Sequence, residues 1–111
     1  GINMPSVNII EGKEEYKIEV AAPGLDKGDF IINLDNNLLT ITSEKEAKSE
    51  DEKEHYMRRE FSYSSFKRSF RLPQTVDPEN ITASHSNGVL SIVIPKRDEA
   101  KIKPAKQIEI Q

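Results

Sequence analysis

Hydrophobic and polar residues alternate along most of the chain. Charged residues separate Tyr16, Ile18 and Val20, and residues 30–34 repeat this spacing with Phe, Ile and Leu. A period of two places every second side chain on one face of an extended chain, which is typical of a strand with one buried face. The alternation returns over residues 64–72, so the pattern predicts short, half-buried β-strands on both sides of a central segment.

Turn-forming residues delimit these strands. Pro23 and Gly24 end the first alternating segment, because proline lacks an amide donor and glycine permits turn conformations. Asp-Asn-Asn at 35–37 tolerates left-handed backbone geometry. It therefore predicts a hairpin that joins 30–34 to a returning strand over 38–42.

A second hairpin is predicted near the C-terminal end. Strands over 81–85 and 89–94 flank Asn87 and Gly88, which form the strongest short hairpin signal in the chain. Pro95 closes the last strand. Seven or eight short strands, regularly spaced turns and no long helix together predict an all-β, immunoglobulin-like antiparallel β-sandwich.

Two segments depart from the alternation. Residues 76–80 predict one helical turn, with Asp77 as its N-cap and Pro78 at its first helical position. The segment 43–60 is rich in charged residues, and its apolar residues show no periodicity. This pattern predicts a solvated loop. Within that loop, residues 55–58 are able to form a short strand.

Composition narrows the classes of function. Hydrophobic residues are 35% of the chain and aromatic residues 6%, with no tryptophan, so the core is expected to consist mainly of Ile, Leu and Val. The 16 basic and 19 acidic residues give a net charge of -3. Nucleic-acid and anionic-membrane surfaces attract a basic excess, so neither is an expected partner.

The chain is expected to be a soluble, cytoplasmic protein. It contains no cysteine, which excludes disulfides, thiolate metal sites and a cysteine nucleophile, and which fits a reducing compartment. No apolar stretch approaches the roughly 20 residues that span a bilayer, and no segment resembles a signal peptide.

Catalytic and metal-binding signatures are missing from the sequence. His55 and His85 share no local metal-ligand spacing, and a surface position is expected for both. There is no Gly-x-Ser-x-Gly elbow and no glycine-rich loop that opens a helix. We therefore expect no enzymatic activity, no cofactor and no bound metal.

Arg68 lies on the same predicted face as Phe66, Phe70 and Leu72. A charge there is costly unless it is paired or hydrogen-bonded. Two interpretations remain open: Arg68 extends to water from a sheet edge, or it forms an ion pair between sheets or subunits with an acidic partner from the charged loop.

Ile108 and Ile110 project to the same side of an extended chain, and they follow a polar segment over 96–107. Two aliphatic side chains on a tether indicate docking into a groove beside a sheet edge. Burying them contributes roughly 3–6 kcal/mol before ordering costs. The alternative is a frayed terminus with incidental isoleucines.

Four stretches of the chain resemble signatures of the small heat-shock protein family, of its bacterial and plant type. Residues 21–25 are similar to an A-x-P-G stretch, and residues 83–90 match the A-x-x-x-N-G-V-L signature. Arg59-Glu60-Phe61 with 66–73 resembles the arginine- and phenylalanine-rich strand, and 108–110 matches the C-terminal I-x-I anchor. The four occur in the family's order and cover the chain from about Ser6 to Ile110.

The resemblance implies an α-crystallin domain of seven to nine strands over residues 6–95, with a dimerisation loop over 43–60. In such dimers the loop carries a short strand to the partner's sheet. The residues then implied at the dimer interface are Tyr56, Met57, Arg58, Arg68, Val7 and Ile9. Residues 1–5 would be the remnant of an N-terminal arm, and 96–111 a C-terminal extension.

The resemblance also implies where the I-x-I anchor docks. Its groove lies between two strands of another dimer, and the wall residues implied here are Phe30, Ile32, Ile81 and Ala83.

The expected function is that of an ATP-independent holdase, a homodimer that forms higher homo-oligomers and binds unfolding client proteins. The alternative is a CS-domain-like cochaperone or scaffold module, which would be monomeric. An extracellular immunoglobulin-like adhesion domain is disfavoured by the missing Cys-Trp core.

Overall fold

The computed structural model describes residues 5–45, 64–101 and 105–111 of the chain. Seven strands lie within these residues: β1 Ser6–Glu11, β2 Glu15–Ala21, β3 Phe30–Asp35, β4 Leu38–Lys45, β5 Ser64–Arg71, β6 Thr82–Ser86 and β7 Val89–Pro95. Three short 3₁₀ turns accompany them: Lys27–Asp29, Pro78–Asn80 and Asp98–Ala100. No helix among the described residues is long and apolar enough to cross a membrane.

The strands form two antiparallel sheets. One sheet has the order β1-β2-β7-β6 and the other the order β3-β4-β5. Every pairing between neighbouring strands is antiparallel. The structure therefore confirms the all-β sandwich predicted from the alternation and the turn spacing.

Both predicted hairpins are present, and each has a two-residue turn, because Asp35 of the predicted first turn belongs to β3. Asn36 and Asn37 connect β3 to β4 with φ of 51° and 62°, and Asn87 and Gly88 connect β6 to β7 with φ of 52° and 78°. Positive φ at both central residues is the geometry whose twist matches that of the flanking strands. These turns fix the register that aligns the inward-facing side chains.

The core lies between the sheets and is built from aliphatic residues, as the composition predicted. The most deeply buried side chains come from strands of both sheets, together with one residue of the segment that follows β5: Ile18, Val20, Leu39, Ile41, Ile92, Ile94 and Val76. Each strand of the core contributes alternate residues, because successive side chains point to opposite faces of a sheet.

The predicted helical turn at 76–80 is also present as the 3₁₀ turn Pro78–Asn80. The Asp77 carboxylate accepts the backbone amide of Glu79 at 3.2 Å, and Pro78 occupies a first-turn position. A second bond, 2.7 Å from the Asn80 side-chain amide, holds the same carboxylate.

The fourth strand is longer than predicted. The sequence placed the start of the charged loop at Ser43, but β4 continues to Lys45 and pairs Ser43 with Phe66 and Glu44 with Ser65. Backbone hydrogen bonds to β5 extend the strand without requiring apolar side chains. Residues 46–60 of the predicted loop lie outside the described residues.

Candidate functional site

A groove opens between β3 and β6, the edge strands of the two sheets. It encloses about 430 Å³ and is lined by Lys27, Phe30, Ile32, Ala83, Ser84, His85 and Leu90. Because β3 and β6 each end a sheet, their outer backbone groups lack a neighbouring strand among the described residues. Such an edge is a template for an added extended segment.

The structure brings three of the four predicted groove residues together. Phe30 and Ile32 lie two apart on β3 and contribute one wall, and Ala83 contributes to the other wall from β6. Ile81 precedes β6 and is instead packed, partly buried, against the core. These three residues make part of the groove walls apolar, and Lys27, Ser84 and His85 add polar groups to its lining.

Sequence reasoning missed the remaining lining residues, and His85 most of all. It was expected at the surface, and its side chain is half-buried, because the pairing of β6 with β7 places it opposite the buried Leu90. Its Nε2 atom is buried and has no hydrogen-bond partner. The register set by the Asn87-Gly88 turn was the signal that could have located it.

Phe30, in the wall of the groove, makes two aromatic contacts. The Phe30 ring meets the Phe66 ring edge-on, with centroids 6.2 Å apart. The same Phe30 ring lies 5.9 Å from the His85 ring at an angle of 43°. Edge-to-face packing of this kind stabilises a ring position beyond the gain from burial, so the Phe66 contact helps to hold the Phe30 ring in the groove wall.

The predicted anchor residues are not buried by their own chain. Ile108 is 82% exposed and Ile110 is 95% exposed, and residues 105–111 form no strand. Large aliphatic side chains at these exposures have no apolar contact to offset their hydration. They are thus available to a groove elsewhere.

The opposite edge of the sandwich is formed by β1 and β5, because β6 and β3 meet at the groove. Val7 is packed against the core, whereas Ile9 on the same inward face of β1 is 60% exposed. This leaves an apolar side chain uncovered at the edge where the dimer contact is predicted. Tyr56, Met57 and Arg58 lie outside the described residues.

Arg68 occupies edge strand β5 opposite Ile41 and is exposed. Its guanidinium carbon lies 5.3 Å from the centre of the Phe70 ring. Within the described residues this is the arrangement of an arginine that extends to water across an aromatic face. The other interpretation requires an acidic partner from the charged segment, most of which lies outside the described residues.

The start of the C-terminal extension is attached to the sandwich. Lys96 is 9% exposed, and its Nζ lies 2.9 Å from Glu11 Oε2 and 4.9 Å from the centre of the Tyr16 ring. The Lys96 hydrogen bond and charge lower the pKa of Glu11 from its usual value. Arg97 continues the attachment by donating its backbone amide to Thr75 O at 2.7 Å.

A further ion pair lies where the extension leaves this anchor. Lys101 Nζ is 3.0 Å from Asp98 Oδ1, and this bond raises the pKa of Lys101. Because the pair is exposed to solvent, its effect on folding is small.

Comparison with known proteins identifies relatives across almost the whole chain. The model of the Hsp20/alpha crystallin family matches residues 8–111. Small heat shock protein C2 of Rickettsia felis is 41% identical over 90% of this chain, and small heat shock protein C4 of the same organism is 40% identical over 92%. The chain spans 65% and 63% of the lengths of these two relatives.

Solved structures show the same architecture. A small heat-shock protein from Xylella fastidiosa, described as having a distinct high order structure, has a TM-score of 0.71 and 36% identity. The alignment covers 100% of this chain and 99% of that one. Heat shock protein 16.0 of Schizosaccharomyces pombe has a TM-score of 0.70 and 32% identity, and covers 98% and 99% of the two chains.

Proposed function

The chain belongs to the Hsp20/alpha crystallin family, and on that premise we propose that it is an ATP-independent molecular chaperone that binds partly unfolded proteins and prevents their aggregation. The observation that supports this function best is the open, mainly apolar groove between β3 and β6. A partly unfolded protein exposes extended apolar segments, which such an edge binds through backbone hydrogen bonds and side-chain pockets. The activity is therefore binding rather than catalysis.

Assembly would use the same groove. In an extended segment Ile108 and Ile110 face one way and Glu109 the other, so both isoleucines enter a groove while the carboxylate stays in water. The tail of one dimer would dock into the groove between β3 and β6 of another dimer. Ordering the tether removes much of the gain from burial, which makes a single contact weak and reversible. Several such contacts in one oligomer strengthen each other through effective concentration.

The dimer would form at the other edge of the sandwich. A strand from residues 56–58 of one subunit would pair with β1 of its partner, where Val7 and Ile9 offer an apolar inward face. Pairing would cover an edge that otherwise invites aggregation. Arg68 would contribute to the contact from β5, which is an edge strand of the other sheet.

Stress would act by releasing weak contacts. A modest shift in the equilibrium between docked and released tails changes the number of open grooves, because the populations depend on small differences in free energy. Tails and client segments would then compete for one site.

Suppression of aggregation without ATP tests the proposal. A heat-labile client is warmed with the full chain, light scattering is followed, and the mass of the chain is measured in parallel. We expect protection at near-stoichiometric ratios and a mass above that of a dimer. Replacing Ile108 and Ile110 by Ala should lower the mass and change protection, whereas Glu109→Ala should do neither.

Two results would contradict the proposal. If the double alanine variant keeps both mass and protection, the tail has no docking role. If the chain is a monomer that protects nothing, the cochaperone or scaffold alternative becomes the better account.

A further inference from the structure

The apolar face of β3 continues beyond the groove. Phe30 and Ile32 line the groove, and Leu34, the next residue on that face, is not among the described residues of the lining. The pairing of β3 with β4 places Leu34 opposite Leu39, which is 1% exposed, so Leu34 lies on the face that is turned to the core. Leu34 itself is 37% exposed. The edge strand therefore carries three apolar side chains in one row, and the last of them is only partly covered.

We propose that Leu34 forms a third apolar subsite of the groove, so that the groove prefers extended client segments with three alternating apolar residues to the C-terminal tail with two. This inference rests on the proposed docking at the groove. The class of client segment is one that forms a half-buried strand in its own folded protein. Strand β2 of this chain has that pattern, with Tyr16, Ile18 and Val20 on one face.

The repeat of β3 matches the repeat of such a segment. Side chains two residues apart on a strand are separated by about 6.8 Å, and a segment that adds to the open edge of β3 has the same spacing. The side chains on one face of the segment therefore meet those of β3 one for one. Two of them reach Phe30 and Ile32, and a third in the same series reaches Leu34.

The tail does not supply that third apolar residue. Within residues 105–111, the side chain that shares a face with Ile108 and Ile110 in an extended chain is Lys106. A lysine keeps its charged end in water, so it buries less apolar surface against Leu34 than an isoleucine would. The tail is thus a two-residue ligand of a three-residue strip.

The third subsite gives client segments an advantage that the tail lacks. A tail in an oligomer competes at a high effective concentration, because it is tethered near the grooves of its neighbours. A client segment with two apolar residues has no gain to offset this. A segment with three buries more apolar surface on Leu34 and displaces the tail.

Capped peptides test the third subsite. The host is the full chain with Ile108→Ala and Ile110→Ala, so that its own tails do not compete, and binding is followed by fluorescence anisotropy. The peptide of residues 105–111 is compared with versions that carry Lys106→Ile or Lys106→Gln. Both versions remove the charge, but only isoleucine extends the alternating series. Because the series can shift by two residues along β3, the comparison holds for either direction of the peptide.

The isoleucine peptide should bind at least about fivefold more tightly than the glutamine peptide, since ordering removes only part of the gain from burying one more side chain. The glutamine peptide should bind within about twofold of the unchanged peptide.

Substitutions in the host assign the effect to Leu34. Leu34→Thr removes the apolar subsite and keeps a residue that favours strands, so the isoleucine and glutamine peptides should bind it within about twofold of each other. The matched control is Ile31→Thr on the opposite face of the same strand, where Ile31 is 61% exposed, and it should keep the full advantage. Binding of the unchanged peptide shows that each variant is folded.

The outcomes separate the subsite from the docking. If the isoleucine peptide has no advantage, if the advantage survives Leu34→Thr, or if Ile31→Thr abolishes it as well, the third subsite is wrong while docking stands. If the advantage survives Leu34→Thr and that substitution lowers the assembly mass of the chain with unaltered tails, a second copy covers Leu34 instead of a client. If no peptide binds, docking is wrong and the subsite falls with it.

Discussion

Lys96 is a charged side chain buried where the sandwich meets the extension. Its amine contacts Glu11 at 2.9 Å and lies over the Tyr16 ring, so both groups stabilise its charge. A buried cation requires its acceptor, because removal of the partner leaves an uncompensated charge. Glu11 ends β1, and Lys96 follows β7, so the pair connects edge strand β1 to the extension.

This pair makes stability depend on pH in a defined direction. The pKa of Glu11 is lowered in the folded chain by Lys96, so the contribution is complete above the ordinary carboxyl pKa and is lost as pH falls through the folded value. We expect Glu11→Gln to lower the thermal midpoint at neutral pH and to converge with the wild type in acid. Thermal unfolding of both proteins from neutral to acid pH measures this difference in midpoint.

Asp98→Asn is the control for this prediction. It removes the exposed pair with Lys101 and should leave the midpoint at neutral pH nearly unchanged. Equal effects of the two substitutions would contradict a special role for the buried amine.

Single residues were the least predictable level of the structure. The sequence placed His85 at the surface because a lone histidine near a turn gives no periodic signal of its own. Its partial burial depends on pairing with Leu90 and on proximity to Phe30, which is distant in sequence. Lys96 was likewise assigned to a polar extension, since no local pattern shows that Glu11 lies beside it.

At the scale of elements, the β6–β7 hairpin supplies one wall of the groove, including His85 and Leu90. Gly88 has φ of 78°, and its carbonyl accepts the backbone amide of Ala22 at 2.9 Å. A Cβ at this position would lie 3.6 Å from Pro23 Cα, an ordinary contact. The requirement for glycine is thus conformational rather than steric.

Gly88→Ala should lower the free energy of unfolding by about 1 kcal/mol, because alanine is strained at positive φ. Gly28→Ala is the matched control, since Gly28 has no atoms within 4 Å of a new Cβ and no positive φ. That change should be neutral or slightly stabilising. Urea denaturation of both variants measures the difference, and an equal response would contradict the conformational argument.

Elements were predicted well wherever local signals agreed. The two hairpins follow from Asn and Gly at positions that require positive φ, and the cap at Asp77 follows from the residue types around it. The extent of β4 was missed, because its last residues are held by backbone pairing with β5 rather than by apolar alternation. The alternation of apolar and polar residues shows which face of a strand is buried. It does not show how far the backbone hydrogen bonds between strands extend.

At the scale of the whole molecule, the sequence predicted the sandwich, but it predicted only some of the residues that line the groove. Family resemblance implied Phe30, Ile32 and Ala83, and the structure places these three around one cavity. The sheet order explains why the groove and the proposed dimer contact do not interfere. β3 and β6 form one edge of the sandwich, and β1 and β5 form the other.

The separation of the two edges allows the dimer contact to be tested without disturbing the groove. Ile9 is 60% exposed on the inward face of edge strand β1, and Ile31 is 61% exposed on β3. Because both side chains are already largely hydrated, replacing either by Lys should change the stability of the subunit by no more than about 0.5 kcal/mol.

The two lysine substitutions should nevertheless differ in assembly. Ile9→Lys would place an unpaired charge where the partner's strand covers β1, so the dimer dissociation constant should rise at least about tenfold, equivalent to about 1.4 kcal/mol. Ile31→Lys, on the outer face of the other sheet, should leave it unchanged. Mass measured over a dilution series distinguishes them. If both variants dimerise like the wild type, β1 is not the edge at which subunits meet, and if both dissociate, β3 belongs to the contact as well.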